Sequence, residues 1–152
     1  MAHEVETQWM GKMQFNSLIN GHTVMMDAPE KSGGEDSAPI PKPFVLSALS
    51  GCTGMDIVAL LRKAKKEVDS FDIKVTGELT KQAPIQYVAI HLVYTFKGDE
   101  MNKEAALNAV SDSQEKYCGV SSMLKKIMPV TWDIAYNDVL VFTNKNNLVI
   151  KL

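Results

Sequence analysis

The run Phe44-Val-Leu-Ser-Ala-Leu-Ser-Gly-Cys-Thr-Gly-Met-Asp-Ile-Val-Ala-Leu-Leu constrains the fold more than any other part of this chain. It is apolar or small nearly all round a helical wheel, and such a helix is buried on most sides. Pro43 suits the first turn. The cationic run Arg62-Lys-Ala-Lys-Lys suits the C-terminal end, where positive charge complements the helix dipole. The pattern predicts a helix over residues 43–67. At about 1.5 Å per residue it would run roughly 35 Å, the width of a small domain. The apolar stretch is about long enough to cross a bilayer. However, Ser47, Ser50, Gly51, Thr53, Gly54 and Asp56 interrupt it, so it reads as the buried helix of a soluble protein with no membrane partner. One small sheet cannot cover a helix that is apolar on most sides. A second copy of the chain is the simplest cover, and a homodimer is expected.

The rest of the chain reads as α+β. Val5 to Met10, Met13 to Leu18 and His22 to Asp27 form a β-meander with a hairpin signal at Asn20-Gly21. Residues 28–42 are a Gly/Pro/acid-rich loop, long enough to be functional or mobile. After the long helix, Asp72 to Thr80 and Tyr87 to Lys97 alternate apolar and polar residues, as an antiparallel hairpin with one buried face does. Helices are expected from Asn102 to about Lys116 and from Gly119 to Ile127. A last strand runs from Val130 to Phe142, with a possible further one at Leu148 to Leu152. Strands and helices are segregated in this reading rather than arranged as βαβ units. At 152 residues, the chain suits a single domain, residues 1–152, with room for a hydrophobic core. The net charge of −2 leaves no basic surplus to neutralise phosphates, which excludes a nucleic-acid partner. The acidic start Met-Ala-His-Glu-Val-Glu has no apolar stretch of the signal-peptide kind, so a cytoplasmic location is expected, where thiols stay reduced.

Two cysteines stand far apart in sequence, with no Cys-x-x-Cys spacing. His3, His22 and His91 lack ligand spacing, and no metal site is expected from the pattern. Cys52 lies in the long helix among Ser50, Gly51, Thr53 and Gly54. Each helix-interior glycine costs about 1 kcal/mol relative to alanine, so two beside a cysteine suggest a close approach there. A lone cysteine on an apolar face is also commonly an inert packing residue. Cys118 lies in Lys-Tyr-Cys-Gly-Val-Ser-Ser-Met-Leu, between two helices, and a helix N-terminus lowers a thiol pKa. Lys116 is a near neighbour in sequence. Asp56 is one turn beyond Cys52, so its carboxylate stands beside that thiol and would raise its pKa. Arg62, the chain's only arginine, lies roughly 15 Å further along and rotated away.

Pro41-Lys-Pro-Phe-Val-Leu-Ser-Ala-Leu-Ser-Gly-Cys-Thr-Gly-Met-Asp-Ile-Val-Ala-Leu-Leu-Arg-Lys resembles the first-cysteine helix of the OsmC/Ohr family (osmotically inducible and organic hydroperoxide resistance-type proteins). Tyr117-Cys118-Gly-Val-Ser-Ser-Met-Leu resembles that family's second-cysteine motif, and the order of elements agrees over roughly residues 5–138. The resemblance implies an intertwined homodimer with its sites at the interface, working in the oxidative stress response. It implies an organic hydroperoxide reductase, a thiol-dependent peroxidase in which Cys52 is peroxidatic and Cys118 resolving. The reductant would be a dithiol, lipoylated or thioredoxin-like, and since sulfur alone does the chemistry neither metal nor flavin is implied. The chain departs from the family pattern in having no arginine before Arg62, with Lys12 or Lys42 as substitutes. It also has Lys42-Pro43-Phe44 where the family places a glutamate. The alternative is a non-enzymatic module of the same fold, holding a small apolar molecule at the dimer interface. The nine methionines would suit such contacts, although methionine is also ordinary core filler.

Overall fold

The computed structural model describes residues 2–145, and the chain forms two compact units, Met1–Val45 and Leu46–Leu152. In the first unit β1 (Val5–Gly11), β2 (Gln14–Ile19) and β3 (His22–Met26) form the expected antiparallel meander. Asn20 and Gly21 both have positive φ, 50° and 82°, as the tight turn from β2 to β3 requires. The loop after β3 is pinned by Asp27. Its buried carboxylate accepts hydrogen bonds from the amides of Ala28, Glu35 and Ser37 and from the Ser37 hydroxyl. These donors, with the Ser37 hydroxyl foremost, hold the Asp27 pKa down at about 2. Lys12 is ion-paired with Glu35 in the same loop.

The second unit contains most of α1 (Phe44–Lys63), then β4 (Ser70–Leu79), β5 (Tyr87–Lys97), α2 (Lys103–Asp112), α3 (Gly119–Lys125), β6 (Val130–Tyr136) and β7 (Val139–Thr143). The sheet order is β4-β5-β6-β7. Ile90, Leu92, Tyr94 and Phe96 on β5 face the core, as the period-two pattern requires, and Trp132, Ile134 and Tyr136 on β6 join them. Phe71 of β4 stacks on Phe96, with ring centroids 4.5 Å apart. Along α1 the fully buried residues are Leu49, Thr53, Ile57 and Leu61, one per turn, so a single stripe enters the core. Gly54 lets β4 come close: a Cβ there would stand 3.1 Å from Ile73 Cδ1. Gly51 has nothing within 4 Å, and Met55 is 74% exposed. Among the described residues α1 is the one helix long and apolar enough to cross a membrane, yet here it is a core helix lying on a sheet.

The α+β class is as expected, and the structure differs in four local respects. α1 stops at Lys63, because Lys65 turns into the left-handed region at φ 54°. The helix expected over 102–116 gives way after Asp112 to a π-helical turn, Ser113–Tyr117. The expected strand 130–142 is two strands, because Asn137 and Asp138 both take positive φ, 48° and 66°, and reverse the chain. Finally, β5 and β6 pair in parallel, Leu92 opposite Trp132, so α2 and α3 make a crossover between neighbouring strands rather than standing apart from them. The strand expected at 148–152 lies outside the described residues.

Ile57 is wholly buried in this core. Ile57→Ala should therefore destabilise the fold by about 2–5 kcal/mol through lost burial and the cavity left behind. Urea denaturation at fixed protein concentration measures this as a lower midpoint with an unchanged slope.

Candidate functional site

The second unit brings the two cysteines together. Cys52 is half-buried on α1, one residue before the buried stripe position Thr53. Cys118 is buried, 2% exposed, and caps α3. The two residues approach to 3.3 Å. Their sulfurs and a carboxylate oxygen of Asp56 all lie within 4.8 Å of one another. No disulfide joins the two cysteines.

The π-helical turn sets this geometry. An ordinary helix would bond the Cys118 amide four residues back; here it donates five residues back, to the Ser113 carbonyl, at 2.8 Å. Such wide turns add a residue to the circuit and are frequent at functional sites. Cys118 then leaves the helical region (φ −68°, ψ 100°), and its sulfur accepts a hydrogen bond from the Ser121 amide at 3.4 Å.

Beneath the thiols lies a buried chain of polar side chains. Thr53 Oγ1 is 3.0 Å from the Tyr94 hydroxyl and 2.8 Å from Ser113 Oγ. Ser113 Oγ lies 3.1 Å from Asp56 Oδ2. Gln114 Nε2 donates to the Tyr94 hydroxyl at 2.6 Å, and the Ser121 hydroxyl donates to Gln114 Oε1 at 2.7 Å. Each hydroxyl has a single proton and a carboxylate only accepts, so the directions follow. Ser113 donates to Asp56, Thr53 to Ser113, and Tyr94 to Thr53, while Gln114 donates to Tyr94. The chain is fully paired and polarised toward Asp56, which is the condition under which buried polar groups rigidify a core rather than weaken it. Burial raises the Tyr94 pKa to about 12, so the phenol keeps the proton that this order requires.

Two opposing effects act on the Cys118 pKa. Cys118 does cap a helix, and the Ser121 amide does pull its pKa down. Burial outweighs that, and with Cys52 and Asp56 adding to it the pKa rises to about 11. Lys116, the nearest cation in sequence, points away and pairs with Asp112 at 2.7 Å. Arg62, as expected, is elsewhere on α1, lining a shallow apolar cleft of about 500 Å³ with Gly51, Gly54, Met55, Val58 and Phe71. His91 bonds Thr131 at 2.8 Å and Asp133 at 3.1 Å. The supporting residues Tyr94, Ser113, Gln114 and Ser121 were not singled out by the sequence pattern. Tyr94 carried a weak signal, a hydroxyl on the apolar face of β5, whereas Ser113 and Gln114 lie in the polar run Ser-Gln-Glu-Lys-Tyr and carried none.

A family model described as OsmC-like protein matches residues 34–133, and the chain belongs to the OsmC family. Protein YhfA of Escherichia coli strain K12 is 33% identical over 129 residues, covering 84% of this chain and 93% of the relative. The crystal structure of a hypothetical protein from Aquifex aeolicus VF5 superposes with a TM-score of 0.73 at 25% identity, over 90% of this chain and 98% of that one. An organic hydroperoxide resistance protein OsmC from Legionella pneumophila shares the fold, with a TM-score of 0.66 at 14% identity over 89% and 97% of the two chains.

The folded state holds the Cys118 proton more tightly than the ordinary thiol value of 9.0 implies. Its contribution to stability is therefore complete below pH 9 and is lost as pH rises through about 11. Urea midpoints between these limits should fall more steeply for the native chain than for Cys118→Ala.

Proposed function

We propose that this chain is a thiol-dependent reductase of organic hydroperoxides, acting in the cytoplasm as an intertwined homodimer. The observation that carries the reading is the approach of Cys52 and Cys118 to 3.3 Å, with both thiols reduced. Membership of the OsmC family supports it, as does the likeness to structures named for organic hydroperoxide resistance. The accessibility of the thiols supports the roles proposed for them. Cys52 is half-exposed and meets the substrate; Cys118 is buried and held as a thiol behind it.

In this mechanism the Cys52 thiolate attacks the distal oxygen of the hydroperoxide. The O–O bond breaks, the alcohol leaves with a proton, and Cys52 becomes a sulfenic acid. The Cys118 sulfur then attacks the Cys52 sulfur. The S–O bond breaks, water leaves with the Cys118 proton, and a disulfide forms. A dithiol, lipoylated or thioredoxin-like, restores both thiols by exchange. The polar chain from Gln114 to Asp56 keeps α1 and the π-helical turn in register, so the sulfurs need little movement to join. The cleft along α1 favours a second reading, a module that holds a small apolar molecule there without turnover.

The dimer rests on α1. Its Leu49–Leu61 stripe is buried within the chain and Leu46, Cys52 and Leu60 are partly so, while Val45 and Met55 are 39% and 74% exposed. Apolar surface on this scale is suited to a second copy.

Two measurements test this. Mass spectrometry of the reduced chain after one equivalent of cumene hydroperoxide should show the loss of two hydrogens and a peptide linking Cys52 to Cys118. Cys118→Ser should stop turnover after a single event, with Cys52 left as sulfenic acid. Two unmodified thiols would instead favour the binding module. For the dimer, Met55→Glu should shift sedimentation from two chains toward one, while a native chain sedimenting as a monomer would remove the homodimer from the reading.

A further inference from the structure

The three groups that meet at the site are two thiols and a carboxylate, and that donor set is not peculiar to redox chemistry. Thiolate and carboxylate together are the ligands of a borderline-soft divalent cation of the zinc type. Sequence spacing predicts no metal site, because the ligands come from two distant segments. The fold supplies what the spacing lacks: Cys52 and Asp56 share one face of α1, and the π-helical turn lowers Cys118 beside them.

We propose that Cys52, Cys118 and Asp56 form a three-ligand site for Zn²⁺ in the reduced chain, with the fourth position open to water or a small ligand. The geometry is close to what the ion needs. Zinc–sulfur bonds of about 2.3 Å at tetrahedral angles place two sulfurs about 3.8 Å apart. The cysteines here approach to 3.3 Å, and all three donor atoms lie within 4.8 Å. Small side-chain rotations about χ1 and χ2 would draw the donors, now within 4.8 Å, onto one ion.

The surroundings support the ligands as a metal site requires. Ser113 donates to Asp56 Oδ2 at 3.1 Å and so orients the carboxylate, and behind Ser113 the chain through Thr53 and Tyr94 is fixed. The Ser121 amide already points at the Cys118 sulfur, at 3.4 Å. Outer hydrogen bonds of this kind set ligand direction and tune metal affinity. Two thiolates and a carboxylate within 4.8 Å of one another would repel as anions, and a shared cation offsets that repulsion.

Binding replaces the two thiol protons, which pass to solvent. The site and the disulfide are mutually exclusive. Two electrons from the paired thiolates reduce a hydroperoxide, two protons complete the alcohol and water, and Zn²⁺ leaves unchanged in oxidation state. The metal site stands independently of the peroxidase reading; only this release step rests on it.

Cobalt(II) titrated into the tag-free, metal-free, reduced full chain is the test. The expected result is a sulfur-to-cobalt charge-transfer band with intense tetrahedral d–d bands, saturating at one equivalent per chain and reversed by Zn²⁺. Cys52→Ser and Cys118→Ser should each abolish the charge-transfer band of the pair. Asp56→Asn, which keeps shape and hydrogen bonds, should weaken binding on the order of tenfold or more. A folded, fully reduced native chain without the band overturns the proposal, as does a band of undiminished strength in Cys118→Ser. Hydroperoxide added to the cobalt-loaded chain separates the two readings. The same hydroperoxide added to the metal-free chain is the control: no disulfide there, with the cobalt band present, removes the peroxidase and leaves the metal site, and a disulfide in a chain that never binds cobalt does the reverse.

Discussion

The Thr53 hydroxyl is the point on which three elements of this structure converge. It is wholly buried in α1, and it joins Tyr94 on β5 to Ser113 at the start of the π-helical turn. An unpaired hydroxyl there would cost about 1–3 kcal/mol, and each of its partners would lose as much. The three segments are therefore held at one spacing. That spacing brings the half-exposed residue before Thr53, which is Cys52, to the sulfur at the far end of the turn. The thiol pair follows from a hydrogen-bonded junction that contains no sulfur.

The same junction explains how the two cysteines differ. Position along α1 leaves Cys52 open on one side, whereas Cys118 is enclosed by the turn and by α3. A helix-end amide lowers a thiol pKa, and burial in the absence of a cation raises it. Here the second effect is larger. Local sequence could suggest the first effect, since Cys118 does precede a helix, but burial belongs to the tertiary structure. The proximity of Asp56 to Cys52 was legible, because it needs only one helical turn.

Where the pattern was periodic it read true. The alternation from Tyr87 to Lys97 matched β5 at both ends, and the apolar run from Phe44 marked α1. The break at Asn137-Asp138 was present as two turn-forming residues, but the apolar residues on either side, Ile134 to Tyr136 and Val139 to Phe142, masked it as one long strand. The parallel pairing of β5 with β6 left no local trace, since strand direction is decided by where the crossover returns. The approach of Cys52 to Cys118 was legible only through resemblance to a family. The polar chain behind it was not, because Ser113 and Gln114 look like surface residues until their partners are known.

The parallel crossover has a consequence for how the thiols come to meet. Cys118 sits in the connection between β5 and β6, and Cys52 lies on the helix before β4. A hairpin brings its ends together early, at small entropic cost, but a parallel return must close a long loop before any ladder bond rewards it. Cys118 is carried to its place over α1 by that late event. In a newly made chain the two sulfurs remain strangers until β6 has found β5, so their nearness is a mark of completed folding.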